Sequence, residues 1–434
     1  MRLFETKDPT FRSRWEGMLQ NRRRGLEEVE EVVRDILRRV REEGDRALVE
    51  LTQRFDGVEL QPEDLEVPRG RWSEALQALD GGILEALKGA AREIEAFCRR
   101  ELPRDWMDMG HGVVRGEVFK PVERAGVYVP GGKAFYPSSV LMGVIPAKVA
   151  GVREVTVVTP PGDGRVSSVV LAAAEVAGAD RLFQVGGAQA IAALAYGTER
   201  VPKVDVIVGP GNRYVTAAKK ALYGEVGIDM LAGPSELLIL SDGSTSPRAA
   251  ALDLLSQAEH DEDAWVGLLT PDGDYAQRVR EELEGLLRTA PRGEIASKSI
   301  EAHGFVVLIR DLEEGIALVD EFAPEHLELH LRDPWGWFGR VGNAGGVFLG
   351  EETPVTLGDY GTGPNHILPT GGAARFSSAV GVWTFLKRIQ FLHTSGEALA
   401  RASRVVIPLA EVEGLFGHAD AVRRRLEDGE EGRG

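Results

Sequence analysis

The feature that most constrains this chain is a repeated unit that begins at Val127. An apolar run, a turn rich in Gly or Pro and a segment of helical length recur four times: "GVYVPGG" and "SSVLMGVIPAKVAG", "EVTVVTPPG" and "VSSVVLAAAEVAGA", "RLFQVGG" and "AQAIAALAYGT", "VDVIVGPGN" and "RYVTAAKKALYG". β-Branched runs that alternate with helices of about ten to fifteen residues are typical of βαβ units on a parallel sheet. The pattern predicts one doubly wound, Rossmann-like domain over about residues 127–237.

The segments on either side of this domain have different patterns. Apolar residues recur at helical spacing through most of the first quarter of the chain, which predicts helices there. After the domain come a helix that carries "LLSQAEHD", then "WVGLLT", a helix, "GFVVLIR" and another helix, which together predict a second α/β series. Gly-rich loops lie beyond Trp335, and short helices are predicted from Trp383 onward.

Composition excludes several classes of protein. The net charge is -17 and the basic residues are scattered, so nucleic acid is not an expected partner. The single cysteine, Cys98, excludes an internal disulfide and a thiolate zinc site, and its position on an apolar helix face predicts a structural thiol. The N-terminus lacks an apolar export signal and no run of about 18 apolar residues occurs, so we expect a cytoplasmic protein that does not cross a membrane.

Three Gly-rich loops follow predicted strands, at residues 128–132, 185–190 and 208–214. Open α/β sheets bind ligands at the carboxyl ends of their strands, where loops meet helix N-termini, so all three loops suit a phosphate or a dinucleotide. None is a complete G-x-G-x-x-G followed by an acidic residue about twenty positions later. Tight turns that require Gly explain each loop alone equally well.

The stretch "LLSQAEHD" places polar residues on one side of a helix. At about 100° per residue, Asp253, Gln257 and His260 gather opposite an apolar stripe, whereas Glu259 points away from Gln257. A pair of ligands from this helix would therefore be Gln257 and His260, at i and i+3. A solvated polar face is the simpler explanation of the same pattern.

Donor side chains also concentrate at three other places. "APEHLELH" sets Glu325 beside His326 just after a proline, where they could form an acid–base pair or only the charged first turn of a helix. "GDYGTGPNHILPT" holds Asp359 and His366, and "LAEVEGLFGHADAV" lies near the C-terminus. Gln, His and Asp ligands without a thiolate would suit zinc. Spacing alone does not bring these residues together.

Eight ordered blocks carry a resemblance to a known family. They are "YVPGGKAFYPSSVLM", "VGGAQAIAALAYGTE", "GPGNRYVT", "AGPSELL", "DLLSQAEHD", "APEHLEL", "GDYGTGPNHILPT" and "LAEVEGLFGHADAV". In this order they resemble the signature blocks of the L-histidinol dehydrogenase family, from about residue 20 to residue 425.

The fold that the resemblance implies is α/β: two incomplete, doubly wound Rossmann-like domains, a short N-terminal segment and a small helical C-terminal domain, in an intertwined homodimer. The expected N-terminal segment is residues 1–19. Residues 20–126 together with 238–381 would form the zinc-binding catalytic domain, and residues 127–237 the NAD-binding domain. Residues 382–434 would complete the active site of the partner subunit.

The activity implied by the resemblance is the last step of L-histidine biosynthesis. A dehydrogenase with one zinc ion per subunit would oxidise L-histidinol to L-histidine through L-histidinaldehyde, using two NAD in succession. His326 would be the general base that takes the hydroxyl proton, and Glu325 would activate the water that hydrates the aldehyde. The implied zinc ligands are Gln257, His260, Asp359 and His418.

Further contacts follow from the same blocks. The substrate-binding set would be Ser235, Gln257, His260, His326, Asp359, His366, Glu413 and His418, and the NAD contacts would be Tyr128, Gln189 and Asn212. Glu413 and His418 would act in the partner's site. On one helix, five residues would set these two about 140° apart, so they would contact different parts of that site.

Two other functions could use the same residues. A zinc-dependent hydrolase with Glu325 as the water-activating base would need no dinucleotide, so formation of NADH from histidinol distinguishes it. A two-lobed binding protein without catalysis would be favoured if the polar clusters were solvated faces, and it should carry no zinc.

Overall fold

The repeated unit folds into a parallel sheet, as predicted. The computed structural model describes residues 1–22, 27–131, 135–162 and 164–431. Its strands are β1 (Arg2–Glu5), β2 (Trp106–Gly110), β3 (Val113–Pro121), β4 (Arg124–Tyr128), β5 (Glu154–Val158), β6 (Arg181–Phe183), β7 (Val206–Val208), β8 (Gly227–Ile228), β9 (Glu236–Ser241), β10 (Trp265–Thr270), β11 (Phe305–Leu308), β12 (His326–His330), β13 (Gly346–Leu349) and β14 (Leu386–Thr394).

The helices complete the order of elements. They are α1 (Phe11–Asn21), α2 (Glu30–Glu43), α3 (Asp45–Asp56), α4 (Arg69–Ala78), α5 (Gly81–Glu101), α6 (Pro137–Ala150), α7 (Ser168–Ala177), α8 (Gly187–Tyr196), α9 (Arg213–Leu222), α10 (Pro247–Ala258), α11 (Gly273–Leu287), α12 (Gly293–His303), α13 (Leu312–Phe322), α14 (Pro334–Phe338), α15 (Val355–Tyr360), α16 (Gly396–Val412) and α17 (Phe416–Glu431). None of these helices is both long enough and apolar enough to cross a membrane.

The first of two parallel sheets has five strands, in the order β6-β5-β4-β7-β8. The chain starts in the middle at β4, moves outward through β5 and β6, and then returns to the other side of β4 at β7. The strand order therefore reverses between β4 and β7. In open α/β sheets, the carboxyl ends at such a reversal form the usual ligand crevice.

The second parallel sheet has six strands, in the order β1-β11-β10-β9-β12-β13. Its order reverses between β9 and β12, so it repeats the topology of the first sheet with one extra edge strand. Every residue of β9, β10 and β12 is buried, which explains the nearly continuous apolar runs of β9 and β10 because parallel strands are covered on both faces. Two parallel sheets with helices between their strands confirm the predicted α/β class.

The packing of the N-terminal region differs from the predicted division of domains. β1 pairs with β11, so the first residues form the edge of the six-stranded sheet. Helices α2 and α3 pack against α8, and α4 and α5 pack against α7 and α6, so this helical region covers elements of the five-stranded sheet. The predicted boundary between residues 237 and 238 falls inside β9, a strand that the sequence pattern did not reveal. Cys98 is buried in α5, where burial raises the pKa of its thiol to about 12, as expected for a structural thiol.

A second compact unit is formed by residues 102–121 and 386–434. Its antiparallel sheet has the order β14-β3-β2, and α16 packs against α17. The predicted helical C-terminal segment contains α16 and α17, but it also contains β14, which pairs with β3. The remaining described residues, including both parallel sheets, belong to the first unit.

Candidate active site

Glu325 and His326 lie at the amino end of β12. The expectation of a helix start here is wrong: α13 ends at Phe322, Ala323 takes a left-handed conformation with φ 49°, and the strand begins at His326. His326 pairs in register with Leu237 of β9. The acid–base pair predicted from the sequence is therefore buried at the point where β9 and β12 enter the sheet.

The hydrogen bonds of His326 define its tautomer. Its Nδ1 lies 2.9 Å from the backbone oxygen of Glu236, and a carbonyl oxygen can only accept, so Nδ1 carries the proton. Nε2 of the neutral ring then has a free lone pair. Burial lowers the pKa of His326 to about 4. The hydrogen bond to Glu236 raises this pKa by less, and the charged forms of His260 and His366 lower it further. The ring is neutral near pH 7 and can accept a proton at Nε2.

Glu325 is held by the backbone of the same neighbour. Its Oε2 accepts a hydrogen bond of 2.8 Å from the N–H of Glu236 and lies 3.5 Å from Nδ1 of His326. Burial raises the pKa of Glu325 well above its usual value, and the negative charges of Glu236 and Asp359 raise it further. The carboxylate of Glu325 is therefore a stronger base for water than an ordinary carboxylate, and a nearby positive charge would favour that ionised form.

Two residues that sequence reasoning missed organise this pair. Arg22 and Glu236 form a buried bidentate ion pair, with Nη2–Oε2 at 2.5 Å and Nε–Oε1 at 3.0 Å. Glu236 also accepts bonds from the N–H groups of Glu325 and Gly371. Arg22 donates to the carbonyl of Phe322 at 2.7 Å. The only sequence signal was an acidic residue at the start of the buried run "ELLILS".

Gln257 and His260 lie at the carboxyl end of α10, close to the His326 end of β12. Gln257 is 2 % exposed, and Asp253, one turn earlier, is 7 % exposed, so the solvated-face explanation of this helix is wrong for both residues. His260 follows the helix, and burial lowers its pKa, which keeps the ring in the neutral form that can act as a ligand. Its charged form would lower the pKa of both His326 and His366, so the three rings lie within electrostatic range of one another.

Asp359 and His366 are in contact in the first unit. Nδ1 of His366 lies 3.2 Å from the backbone oxygen of Asp359, so it donates there, and Nε2 lies 3.3 Å from the hydroxyl of Ser139, which donates to it. Burial lowers the pKa of His366 to about 4 and raises that of Asp359 to about 6. Ser139, which sequence reasoning missed, thereby links α6 to the loop that carries His366.

The predicted donors Gln257, His260 and Asp359 are chemically suited to a divalent metal. Gln257 supplies an amide oxygen, His260 a neutral imidazole, and Asp359 a carboxylate whose ionised form is disfavoured by burial. A cation would reverse that burial effect, because it favours the ionised carboxylate. Zinc accepts this mixture of nitrogen and oxygen donors.

Ser235, a predicted substrate contact, directly precedes β9, and its backbone oxygen accepts a hydrogen bond from the N–H of Trp265.

The three Gly-rich loops lie at the carboxyl ends of β4, β6 and β7. The hydroxyl of Tyr128 accepts a 3.2 Å hydrogen bond from the N–H of Gly187, and burial raises its pKa to about 12. Gly209 has φ 118°, and a Cβ there would lie 2.1 Å from the backbone oxygen of Tyr128, so only Gly fits. Gln189 is 2 % exposed in α8. Residues 132–134 at the end of the first loop lie outside the described residues.

Asn212 has a structural role of its own. Its side-chain oxygen accepts hydrogen bonds from the N–H groups of Tyr214 and Val215, so it is the N-cap of α9. For the loop at residues 208–214, the explanation by a tight turn that starts a helix is therefore correct at Asn212. Because Tyr128 ends β4 and Asn212 follows β7, the two residues flank the reversal of strand order, where a dinucleotide is expected.

Glu413 and His418 belong to the second unit. The assumption that they share a helix is wrong: Glu413 caps the end of α16, Gly414 takes φ 73°, and His418 lies in the first turn of α17. Both residues are exposed. The 140° separation therefore does not apply.

Comparison with known proteins identifies the family of this chain. Residues 19–426 match the sequence model of the histidinol dehydrogenase family. The chain is 50% identical over 429 residues to histidinol dehydrogenase of Syntrophotalea carbinolica, covering 99% of this chain and 100% of that relative. It is 49% identical over 402 residues to the enzyme of Aquifex aeolicus, covering 93% of each chain. The crystal structure of histidinol dehydrogenase from Elizabethkingia anophelis matches with a TM-score of 0.93 at 35% identity, covering 99% of this chain and 98% of that one. The chain belongs to the histidinol dehydrogenase family.

Proposed function

We propose that this chain oxidises L-histidinol to L-histidine through L-histidinaldehyde, with two NAD in succession at one zinc site. Membership of the family makes the chain an oxidoreductase of the last step of histidine biosynthesis. The observation that carries the mechanism is the buried pair Glu325–His326, in which His326 is neutral and its Nε2 is free to accept a proton. Two oxidations of one carbon need a base for an alcohol proton and a base for water, and the pair supplies both.

Zinc would be held by Gln257, His260 and Asp359, with His418 of the partner subunit as the fourth ligand. The buried, neutral His260 and the carboxylate of Asp359 support this assignment. When bound, zinc would fix the imidazole and amino groups of histidinol beside the nicotinamide. Two neutral His, one amide and one carboxylate leave the site at about +1, which favours the neutral, coordinating form of the substrate's nitrogens.

His326 would take the hydroxyl proton during each hydride transfer to NAD. The hydrogen bond from Nδ1 to the carbonyl of Glu236 aims Nε2 and holds the required tautomer. A protonated His326 loses its charge readily, because its burial favours the neutral ring. The base is therefore reset for the second oxidation.

Glu325 would take a proton from the water that adds to the aldehyde. Its raised pKa makes its ionised form a stronger base than an exposed carboxylate, and the positive charges of zinc and the oxidised nicotinamide would favour that form. Since Cys98 is buried with a pKa of about 12, its thiol is unsuited to the thiohemiacetal route. Hydration is therefore the route that this chain supports.

NAD would lie across the carboxyl ends of β4, β6 and β7, with contacts from Tyr128, Gln189 and Asn212. The strand reversal between β4 and β7 supports this position. Ser235 and His366 of the same chain and the partner's Glu413 would complete the substrate contacts. Ser139 already donates to Nε2 of His366, so His366 would have to exchange this bond to contact substrate through that nitrogen.

The functional unit would be a homodimer in the cytoplasm. The second unit exposes apolar side chains, among them Met109 at 70%, Leu392 at 70% and Val412 at 87%, which supports burial against a second copy. Glu413 and His418 lie in the same unit and are exposed. A second chain that covers this unit would bring both residues into its own site.

One experiment tests the reaction as a whole. Zinc-loaded protein is incubated with a limiting amount of L-histidinol and excess NAD, and the NADH formed is measured by absorbance. We expect about two NADH per histidinol consumed, because oxidation of an alcohol to a carboxylate removes four electrons and each NAD accepts two. About one NADH per histidinol would contradict the second oxidation, and none would favour the hydrolase alternative.

A further inference from the structure

Strand β12 carries a second group of buried polar side chains, Glu328 and His330, further along the strand than the proposed active site. Side chains alternate along a strand, so His326, Glu328 and His330 share one face while Leu327 and Leu329 pack in the apolar core on the other. Glu328 and His330 are both 0% exposed. A carboxylate and an imidazole at such depth need partners, because an unpaired buried polar group is costly.

Asp253 of α10 is the third member of this group. Nε2 of His330 lies 3.5 Å from Oδ2 of Asp253 and 3.2 Å from Oε2 of Glu328. Both ring nitrogens of His330 and Oε2 of Glu328 lack a hydrogen-bond partner among the described residues. Oε1 of Glu328 instead accepts 2.8 Å from the N–H of Val355. One ligand atom from each of the three side chains lies within 4.8 Å of the others.

The position of the cluster is the one where α/β sheets bind ligands. His330 ends β12 and pairs with Ser241, which ends β9, and the strand order of the six-stranded sheet reverses between these two strands. The cluster thus lies at the carboxyl side of the reversal, whereas His326 lies at the opposite, amino end. Along β12, four residues separate His326 from His330 by about 13 Å, and along α10 one helical turn of about 6 Å separates Asp253 from Gln257.

We propose that Asp253, Glu328 and His330 bind a divalent first-row cation, distinct from the zinc of the proposed active site. Two carboxylates and one neutral imidazole neutralise a 2+ ion, and this set suits Mn2+ or Zn2+ better than Mg2+ or Ca2+, which prefer all-oxygen shells. Three protein ligands leave coordination positions for water or a small ligand. The ion would join α10 to β12, the two elements that also carry Gln257 and His326.

Mn2+ binding to full-length protein stripped with a chelator tests the proposal. Free Mn2+ is measured by electron paramagnetic resonance in wild type, Asp253→Asn, Glu328→Gln and a matched control, Glu351→Gln, which removes an exposed neighbouring carboxylate outside the cluster. We expect Asp253→Asn and Glu328→Gln each to lose about one Mn2+ per chain relative to wild type and to the control. His260→Ala, which removes a ligand of the other site, should keep the Mn2+ bound by the cluster.

Equal Mn2+ binding by wild type, Asp253→Asn and Glu328→Gln would overturn the proposal, as would the absence of any bound Mn2+ in His260→Ala. If the cluster variants do not fold, wild-type crystals soaked in MnCl2 give an independent answer. An anomalous-scattering peak between Asp253, Glu328 and His330 supports the site, and no peak there overturns it.

Discussion

The buried ion pair Arg22–Glu236 should be the most sensitive single contact of the proposed active site. Arg22→Met removes the guanidinium but keeps much of the aliphatic volume. Both side chains are 2 % exposed, so Glu236 would be left as a buried charge without its cation. Removing one partner of a buried pair costs ~3–5 kcal/mol of the free energy of unfolding. The N–H groups of Glu325 and Gly371 still donate to Glu236, so we expect about 3 kcal/mol, the lower end.

A matched control exists on the surface. Arg12 forms a bidentate pair with Glu321, with both bonds at 2.9 Å, but these side chains are 59% and 36% exposed. Arg12→Met should cost less than about 1 kcal/mol, because water solvates the carboxylate that remains. Urea unfolding at equal m values compares the two variants directly. The double variant Arg22→Met with Glu236→Gln should be more stable than Arg22→Met alone, since no unpaired charge is then buried.

The same substitution should also change catalysis. Glu236 positions Glu325 through its N–H and His326 through its carbonyl oxygen, so a shift of this residue should lower kcat at saturating histidinol. If Arg22→Met loses no more stability than Arg12→Met and keeps the wild-type kcat, the ion pair does not organise this site. If Arg22→Met loses stability but keeps the wild-type kcat, the ion pair stabilises the fold without positioning Glu325 and His326.

The remaining predictions concern individual residues. His326→Asn should slow both hydride steps with zinc content unchanged by elemental analysis; loss of zinc would instead make His326 a ligand. Glu325→Gln should slow oxidation of the aldehyde far more than oxidation of the alcohol, and equal slowing in single-turnover assays would contradict its role with water. In metal-free protein, His366 has a pKa of about 4 against 6.5 when exposed, so the unfolded state binds more protons between these values and stability falls as the pH drops from about 6.5 to 4. His366→Asn should therefore show a shallower acid loss than wild type in denaturant titrations, and an identical pH slope would refute this. Inactive Gln257→Ala and His418→Ala chains, mixed under subunit exchange, should recover about a quarter of wild-type activity, because half the dimers are hybrids with one intact site; no recovery in exchanged dimers would argue against shared sites.

Local patterns were sufficient for much of the fold. The four repeats from residue 127 form the elements β4 to α9. Each of these strands and helices could be predicted because the apolar pattern of its own residues is sufficient. β2, β3 and β14 were missed, since residues 106–121 pair with residues 386–394 across most of the chain and no local signal marks that partner. β9 was not predicted, although its fully buried run resembles that of β10, which was predicted from "WVGLLT".

The site shows the same limit in chemical terms. Helical geometry selected Gln257 and His260; Gln257 is buried near the end of α10, and His260 follows the helix. Pro324 suggested a helix start at Glu325, but the left-handed Ala323 directs the chain into a strand instead. The role of Glu236 depends on its backbone N–H and carbonyl, which no side-chain pattern reveals. Assignments of metal, substrate and NAD contacts to single residues stay predictions.

The edge position of β1 has a consequence for how the chain is made. Arg2 pairs with Phe305, and Arg22 bonds to the carbonyl of Phe322, so the first residues find their partners only about 300 residues later. At about 5–20 residues per second, a ribosome needs roughly 15–60 s for that distance. The strands of the five-stranded sheet all lie within residues 124–228 and can pair well before then. Strand β1 therefore pairs with β11 only after the middle of the chain has been able to fold, and this pairing completes the six-stranded sheet that contains Glu236.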